Sequence, residues 1–113
     1  REGQIYRLNK LDSMTITVDD ENGGQRKIKG GLSQFLGMDT EEYGFHLNIK
    51  ELELENKDSF LICSDGLTDY VGNAEIAGIV CEHELMDSIK TLLGLAMERG
   101  GKDNTTILRV DVS

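Results

Sequence analysis

The chain has 113 residues, 38% hydrophobic and 29% charged, which fits at most one domain with a globular rather than a disordered balance. Twelve Lys and Arg against 21 Asp and Glu leave a net charge of −9, which argues against a nucleic-acid binder and against an anionic membrane surface, since both recruit basic faces. No apolar run approaches the roughly 18 residues of a membrane span, and no signal-peptide pattern is present.

The chain opens at Arg1, without Met and already inside what reads as a strand, which suggests a piece of a longer chain. Gln4 to Leu11 and Ser13 to Val18 read as short strands. Ile5, Leu8 and Leu11 are apolar, and Met14, Ile16 and Val18 alternate with Ser13, Thr15 and Thr17. Only Asp12 and its neighbours separate the two, which predicts a hairpin. Asp19 to Gly31 is a polar break and predicts a mobile surface loop. Its start has the look of a calcium loop. Counted from Asp19, however, the twelfth position is Gly30, and counted from Asp20 it is Gly31, where a bidentate Glu is needed. A small acidic cation-binding module on Asp19 to Asn22 stays open as a separate reading. Arg26, Lys27 and Lys29 read as a solvated face of the loop.

Leu32 to Leu36 predicts a helical turn or strand ending at Gly37. Tyr43 to Leu54 predicts an extended stretch with alternating Leu47 and Ile49, then Leu52 and Leu54. After a turn at Asn56-Lys57-Asp58, Ser59 to Ser64 reads as a strand. Its run Phe60-Leu61-Ile62-Cys63 is apolar on both faces, which predicts a central strand covered on each side. Asn73 is the expected cap of a helix from Ala74 to about Cys81, with Glu75 in its first turn. A second helix spans Glu84 to Arg99 on Leu85, Met86, Ile89, Leu92, Leu93, Ala96 and Met97. Its Met residues are expected in the core, and Gly100-Gly101 ends it. Thr105 to Val112 is the closing strand. This order predicts an α+β fold, a mostly antiparallel sheet with two main helices on one face. His46 and His83 stand alone, without metal-ligand spacing. Cys63 and Cys81, 18 apart and outside any CxxC pair, predict two reduced thiols in a cytoplasmic protein.

Two segments could carry chemistry. In Ser64-Asp65-Gly66-Leu67-Thr68-Asp69 an apolar strand runs directly into Asp, and Gly lets the chain turn sharply away. In Gly100-Gly101-Lys102-Asp103-Asn104-Thr105-Thr106 a helix ends in two glycines and an Asp precedes the next strand. Were the two strands neighbours, Asp65 and Asp103 would lie side by side at one end of the sheet. Adjacent carboxylates repel unless a proton or cation sits between them, and Mg²⁺ or Mn²⁺ favours such oxygen ligands. Spacing alone favours a plainer reading, with Asp65 and Asp69 as turn and cap residues and Asp103-Asn104 as a turn after a helix.

Taken together, Phe60 to Asp69 and Gly100 to Thr106 closely resemble the two C-terminal motifs of the metal-dependent protein Ser/Thr phosphatases of type 2C, the PPM family. Milder matches extend from Ile5 to Val112. Ile5-Tyr6-Arg7-Leu8 resembles the strand after the family's Gly-Asp-Ser-Arg motif, Leu32 to Gly37 its Leu-Gly segment, and Leu52-Glu53-Leu54 with Asp58 its approach to the Ser-Asp-Gly strand. The resemblance implies that residues 1–113 are the C-terminal part of a phosphatase domain, a portion of an α-β-β-α sandwich. It implies two or more Mg²⁺ or Mn²⁺ ions and a metal-activated water that attacks phosphoserine or phosphothreonine in a protein substrate. Asp65 matches a direct metal ligand, Asp103 a second ligand to the same ion, and Asp69 a carboxylate linked to a weaker metal site. Gly66 and Gly101 match positions that serve geometry, and Asn104 one that holds the loop in shape. No catalytic side chain beyond the metal ligands is implied. Asp19 to Gly31 falls where the family carries a flap near the substrate.

Departures from the family pattern sharpen the expectation. The Gly-Asp-Ser-Arg positions read Arg1-Glu2-Gly3-Gln4, so Glu2 brings a longer side chain to the weaker site. The family's Asp-His after the second strand reads Asp19-Asp20. The family's N-terminal part supplies the carboxylate that bridges both metals, its neighbouring Gly carbonyl, another acidic ligand and the phosphate-binding Arg. Asp65 and Asp103 alone give one ion two protein ligands, so this chain by itself is expected to be a poor enzyme or none. Apolar surface left for the N-terminal part of the parent chain implies self-association of the fragment. The alternative, supported by the altered Arg1 to Gln4, is a non-catalytic relative that binds a partner.

Overall fold

The computed structural model describes residues 1–11, 13–101 and 103–113. They form two units, Arg7–Glu51 and Arg1–Tyr6 with Leu52–Ser113.

In the first unit the chain builds a hairpin of β1 (Ser13–Asp19) and β2 (Gln25–Leu32). The strands pair antiparallel from Asp19 opposite Gln25 to Ser13 opposite Leu32, with an irregularity between Ser13 and Thr15. The turn is set by Asn22-Gly23, a strong local hairpin signal. Gly23 has φ 78°, and its N–H donates to Asp20 O at 3.1 Å while Asp20 N donates to Gly24 O at 2.8 Å. The Asp20 carboxylate closes the turn by accepting from Asn22 N at 2.6 Å. The stretch Asp19 to Gly31, expected as a loop, is therefore a tight turn followed by a strand. It also takes the pairing expected for Gln4 to Leu11, which is irregular and leaves Ile5, Leu8 and Leu11 exposed. Asp12, the expected turn of that other hairpin, lies outside the described residues. Leu32 ends β2, and the residues after it bend rather than form a helix or strand. Next comes the one-turn helix α1 (Thr40–Tyr43), capped by Asp39, whose Oδ1 accepts from Glu41 N at 3.0 Å and Glu42 N at 3.1 Å. The alternation from Tyr43 to Leu54 does not become a strand. No described strand takes it as a partner, and Leu47, Ile49, Leu52 and Leu54 are exposed.

The second unit has the order β3 (Ser59–Cys63), α2 (Asp65–Thr68), α3 (Asn73–Glu82), α4 (Leu85–Arg99) and β4 (Ile107–Asp111). β3 and β4 pair antiparallel, with Ser59 opposite Asp111, Leu61 opposite Arg109 and Cys63 opposite Ile107. Strand alternation then sorts the side chains. Leu61, Cys63 and Ile107 pack on the core of Leu67, Val71, Ile76, Leu92 and Ala96. The opposite face carries Ile62, Leu108 and Val110, which are 62%, 53% and 47% exposed. β3 is therefore covered on one face, not on both as its sequence predicts. In α4 the buried residues Ser88, Leu92 and Ala96 recur every fourth position, so the core meets a narrower stripe than the apolar pattern suggests. Met86 and Met97, expected in the core, are exposed. α3 begins one residue early, with Gly72 as its cap and no side-chain cap bond, so Asn73 lies in the first turn rather than at the cap. Cys63 is half-buried and Cys81 exposed, and no disulfide joins them. The architecture is α+β with short antiparallel sheets and four described helices.

Arginines anchor this unit where apolar packing ends. The Arg109 side chain, 7% exposed, donates from Nη1 to Ser88 Oγ at 2.7 Å and His83 O at 3.2 Å, and from Nε to Asp111 Oδ1 at 2.7 Å. It thereby ties the α3–α4 turn to β4. At the start of β3, Asp58 is 4% exposed and receives Arg1 through Nε to Oδ1 at 2.9 Å and Nη2 to Oδ2 at 2.8 Å. Glu55 N also donates to Asp58 Oδ2 at 2.9 Å. The Arg1 guanidinium, followed by that backbone N–H, holds the Asp58 carboxyl well below the usual carboxylate range.

Two outcomes follow. Leu92→Ala is expected to destabilise by about 2–5 kcal/mol and Met97→Ala by less than about 0.5 kcal/mol, read by denaturant unfolding. Because the Asp58 pKa is depressed in the fold, its stabilisation is fully present above the unfolded value of about 3.9 and is lost as pH falls through the native value. Thermal melts of wild type and Asp58→Asn should therefore differ at pH 7 and converge as pH drops below about 4.

Candidate metal site at the end of the β3–β4 pair

The pairing of β3 with β4 continues one step past the strands. Ser64 N donates to Thr106 O at 3.0 Å. The Ser64 hydroxyl donates to Asn104 O at 3.3 Å and accepts from Thr106 N at 3.0 Å. The chain leaving β3 and the chain entering β4 thus run together, with Asp65 next on one and Asp103 next on the other. Gly66 makes the approach possible: a Cβ there would lie 2.5 Å from Asn104 O and 2.6 Å from Thr105 Oγ1. This is a close backbone contact that any side chain would push apart.

Asp65 opens α2 at the surface, and its carbonyl accepts from Asp69 N at 2.9 Å. Asp69 is exposed at the other end of that single turn, four residues on from Asp65. Asp103 is exposed, and its Oδ1 accepts from Asn104 N at 2.8 Å, which shapes the turn around it. Ahead of it, the N–H groups of Gly100 and Gly101 both donate to Ala96 O, at 3.0 and 3.1 Å. Gly101 has φ 63°, the left-handed conformation that ends α4. Lys102 lies outside the described residues.

The structure therefore brings together the Asp65-Gly66 and Asp103-Asn104 segments, with Asp69 one turn away. It does not bring Glu2 to them. Glu2 follows Arg1, which is clamped to Asp58 at the start of β3, whereas Asp65 follows its end. Sequence reasoning missed Ser64, whose position just before the Asp was its only signal.

Aspartates are hard oxygen donors and suit Mg²⁺ or Mn²⁺, ions that retain several waters. Among the described residues no group of three or more His, Cys, Asp and Glu is placed to hold a metal. The donor chemistry fits such an ion, while its number calls for ligands from outside these residues.

No protein-family model matches the chain. Curated relatives do. "Serine/threonine protein phosphatase PstP" of Mycobacterium tuberculosis is 40% identical over 121 aligned positions, 99% of this chain and 22% of PstP. "Protein phosphatase PhpP" of Streptococcus pneumoniae is 39% identical over 61 positions, 53% of this chain and 25% of PhpP. Over nearly its whole length the chain matches a small part of a type 2C protein Ser/Thr phosphatase. It spans about a fifth of the length of PstP, 22%. In this chain the close approach at Gly66 joins the two motifs.

Gly66→Ala is expected to destabilise by about 1–3 kcal/mol through overpacking. Hydrogen exchange at the Ser64 and Thr106 amides should speed up with it. Gly78 and Gly94, where a Cβ would meet nothing within 4 Å, should accept Ala in their helices without loss.

Proposed function

We propose that residues 1–113 are the C-terminal part of a phosphatase domain, and that the parent protein removes phosphate from phosphoserine and phosphothreonine in protein substrates with Mg²⁺ or Mn²⁺. The observation that carries this reading is the apposition of Asp65-Gly66 and Asp103-Asn104 at one end of the β3–β4 pair. The relatives PstP and PhpP, both protein phosphatases, support the reaction class. Asp65 and Asp103 hold one ion together, and Asp69 serves a weaker site one turn on. When bound, the ions acidify water and neutralise phosphate charge. The chain's own residues keep the carboxylates in place. Ser64 pins the two backbones, Gly66 lets them touch, and Asn104 N fixes one oxygen of Asp103.

Two carboxylates are too few for catalysis, so the remaining ligands come from the rest of the parent domain. The exposed sheet face of Ile62, Leu108 and Val110 is where that part packs, since apolar surface of this kind is normally covered. Within the chain itself, no helix of the described residues is long and apolar enough to cross a membrane. The two cysteines, joined by no disulfide, suit a cytoplasmic protein.

The test is Mn²⁺-dependent hydrolysis of an aryl phosphate by the parent protein. Activity should fall at least ~100-fold in Asp103→Asn, because even outer-shell partners of a metal are worth 10–100-fold. A folded wild-type parent that is inactive at saturating Mn²⁺ would instead make this a phosphatase-like binding domain.

A further inference from the structure

The loop that carries Asp103 is fastened at both ends, and the fastening at its start involves residues to which no role has been given. Tyr70, half-buried, follows the Asp65–Asp69 turn directly. Its ring lies against Gly100, where a Cβ would sit 2.5 Å from Cε1 and Cε2. Arg99, the last residue of α4, donates from Nη1 to Tyr70 O at 3.1 Å and to Glu75 Oε1 at 3.0 Å. Its Nη2 reaches Glu75 Oε2 at 2.8 Å. The fork-to-fork pair is the geometry in which Arg holds a carboxylate most firmly. It raises the Arg99 pKa and lowers that of Glu75.

Arg99 and Glu75 are exposed, so the ion pair by itself stabilises little. What distinguishes it is its position. One guanidinium bonds the backbone beside Asp69 while belonging to the helix whose end leads to Asp103. The ring of Tyr70 meets the backbone of that helix end at the next residue. Tyr70 also packs against the buried core of Leu67, Val71, Ile76, Leu92 and Ala96, so stability alone does not test its part in the loop.

We propose that Tyr70 and Arg99 are positioning residues, a clasp that fixes the start of the Asp103 loop against the Asp65–Asp69 turn and so sets the separation of the metal-binding carboxylates. The inference rests on the phosphatase reading above. The clasp acts on the first part of the loop as Ser64 and Gly66 act on the last, so the loop is held from both sides before any ion binds. Preorganisation of this kind determines how tightly a site grips its metal.

The experiment uses the parent protein and measures Mn²⁺ affinity by electron paramagnetic resonance of the free ion, together with Mn²⁺ half-activation and the metal-free thermal midpoint. Tyr70→Ala and Arg99→Gln are each expected to weaken Mn²⁺ binding about 10-fold or more, with the half-activation concentration shifting in parallel. Tyr70→Phe keeps the ring and should bind like wild type. If the variants melt lower but bind Mn²⁺ as tightly as wild type, the clasp is merely structural and the proposal is overturned while the phosphatase reading stands. If wild type itself neither binds Mn²⁺ nor hydrolyses phosphate, the phosphatase reading falls and takes the clasp with it. Should Tyr70→Ala fail to fold, the surface variant Arg99→Gln decides by the same readings.

Discussion

The antiparallel pairing of β3 with β4 is the constraint on which the larger unit depends. Cys63 and Ile107 face each other across it, and the residues between them must return the chain to the same sheet end. Closing a loop of that size has an entropic cost that local contacts must offset. α2, α3 and α4 do so by burying Leu67, Val71, Ile76, Leu92 and Ala96 against one face of the pair. The register then places the first residues beyond each strand side by side. Asp65 thus follows the end of β3 directly, while Asp103 lies in the loop that leads into β4.

Polar contacts refine what packing alone leaves loose. Arg109 reaches from β4 to the carbonyl of His83 at the surface and to the hydroxyl of Ser88, and only the latter would be left in the interior with less hydrogen bonding. Arg1 does similar work for Asp58 before β3. Arg99 spans from the end of α4 to the stretch after α2. Each of these arginines joins segments distant in sequence. Arg suits this because its planar fork carries several donors in a fixed geometry. Among the described residues no buried side-chain nitrogen or oxygen lacks a hydrogen-bond partner, so these connections complete the interior without leaving an orphaned group.

What the sequence revealed follows from which signals are local. The periodicity of Leu85 to Arg99 and the double glycine after it located α4 and its end to within a residue, because a helix is specified by its own neighbours. β3 was legible for a related reason, an apolar run bounded by a turn and by Asp-Gly. The misread strands needed partners. Gln4 to Leu11 and Tyr43 to Leu54 alternate well enough, but alternation marks a strand only where another strand receives it. The opposite error occurred at Gln25 to Leu32, where polar composition hid a strand that Asn22-Gly23 announced. In the site, Asp65 and Asp103 were visible through their junction positions and through resemblance. The Tyr70–Gly100 contact was not, because nothing in one sequence says which glycine faces which ring.

Two deficits of the larger unit point the same way under the proposed reading. Its sheet has one face packed by helices and one face of exposed Ile62, Leu108 and Val110. Its carboxylate pair has too few ligands to surround a divalent ion. These are different kinds of shortfall, one of apolar cover and one of donor count, and neither explains the other. The resemblance to the type 2C phosphatases implies a second sheet on the open face, which would bury the apolar residues and bring further oxygen ligands beside Asp65 and Asp103. The same docking would therefore complete the core and the site together, and binding of the ions would in turn stabilise the docked state, since whatever binds only the folded form shifts the balance toward it.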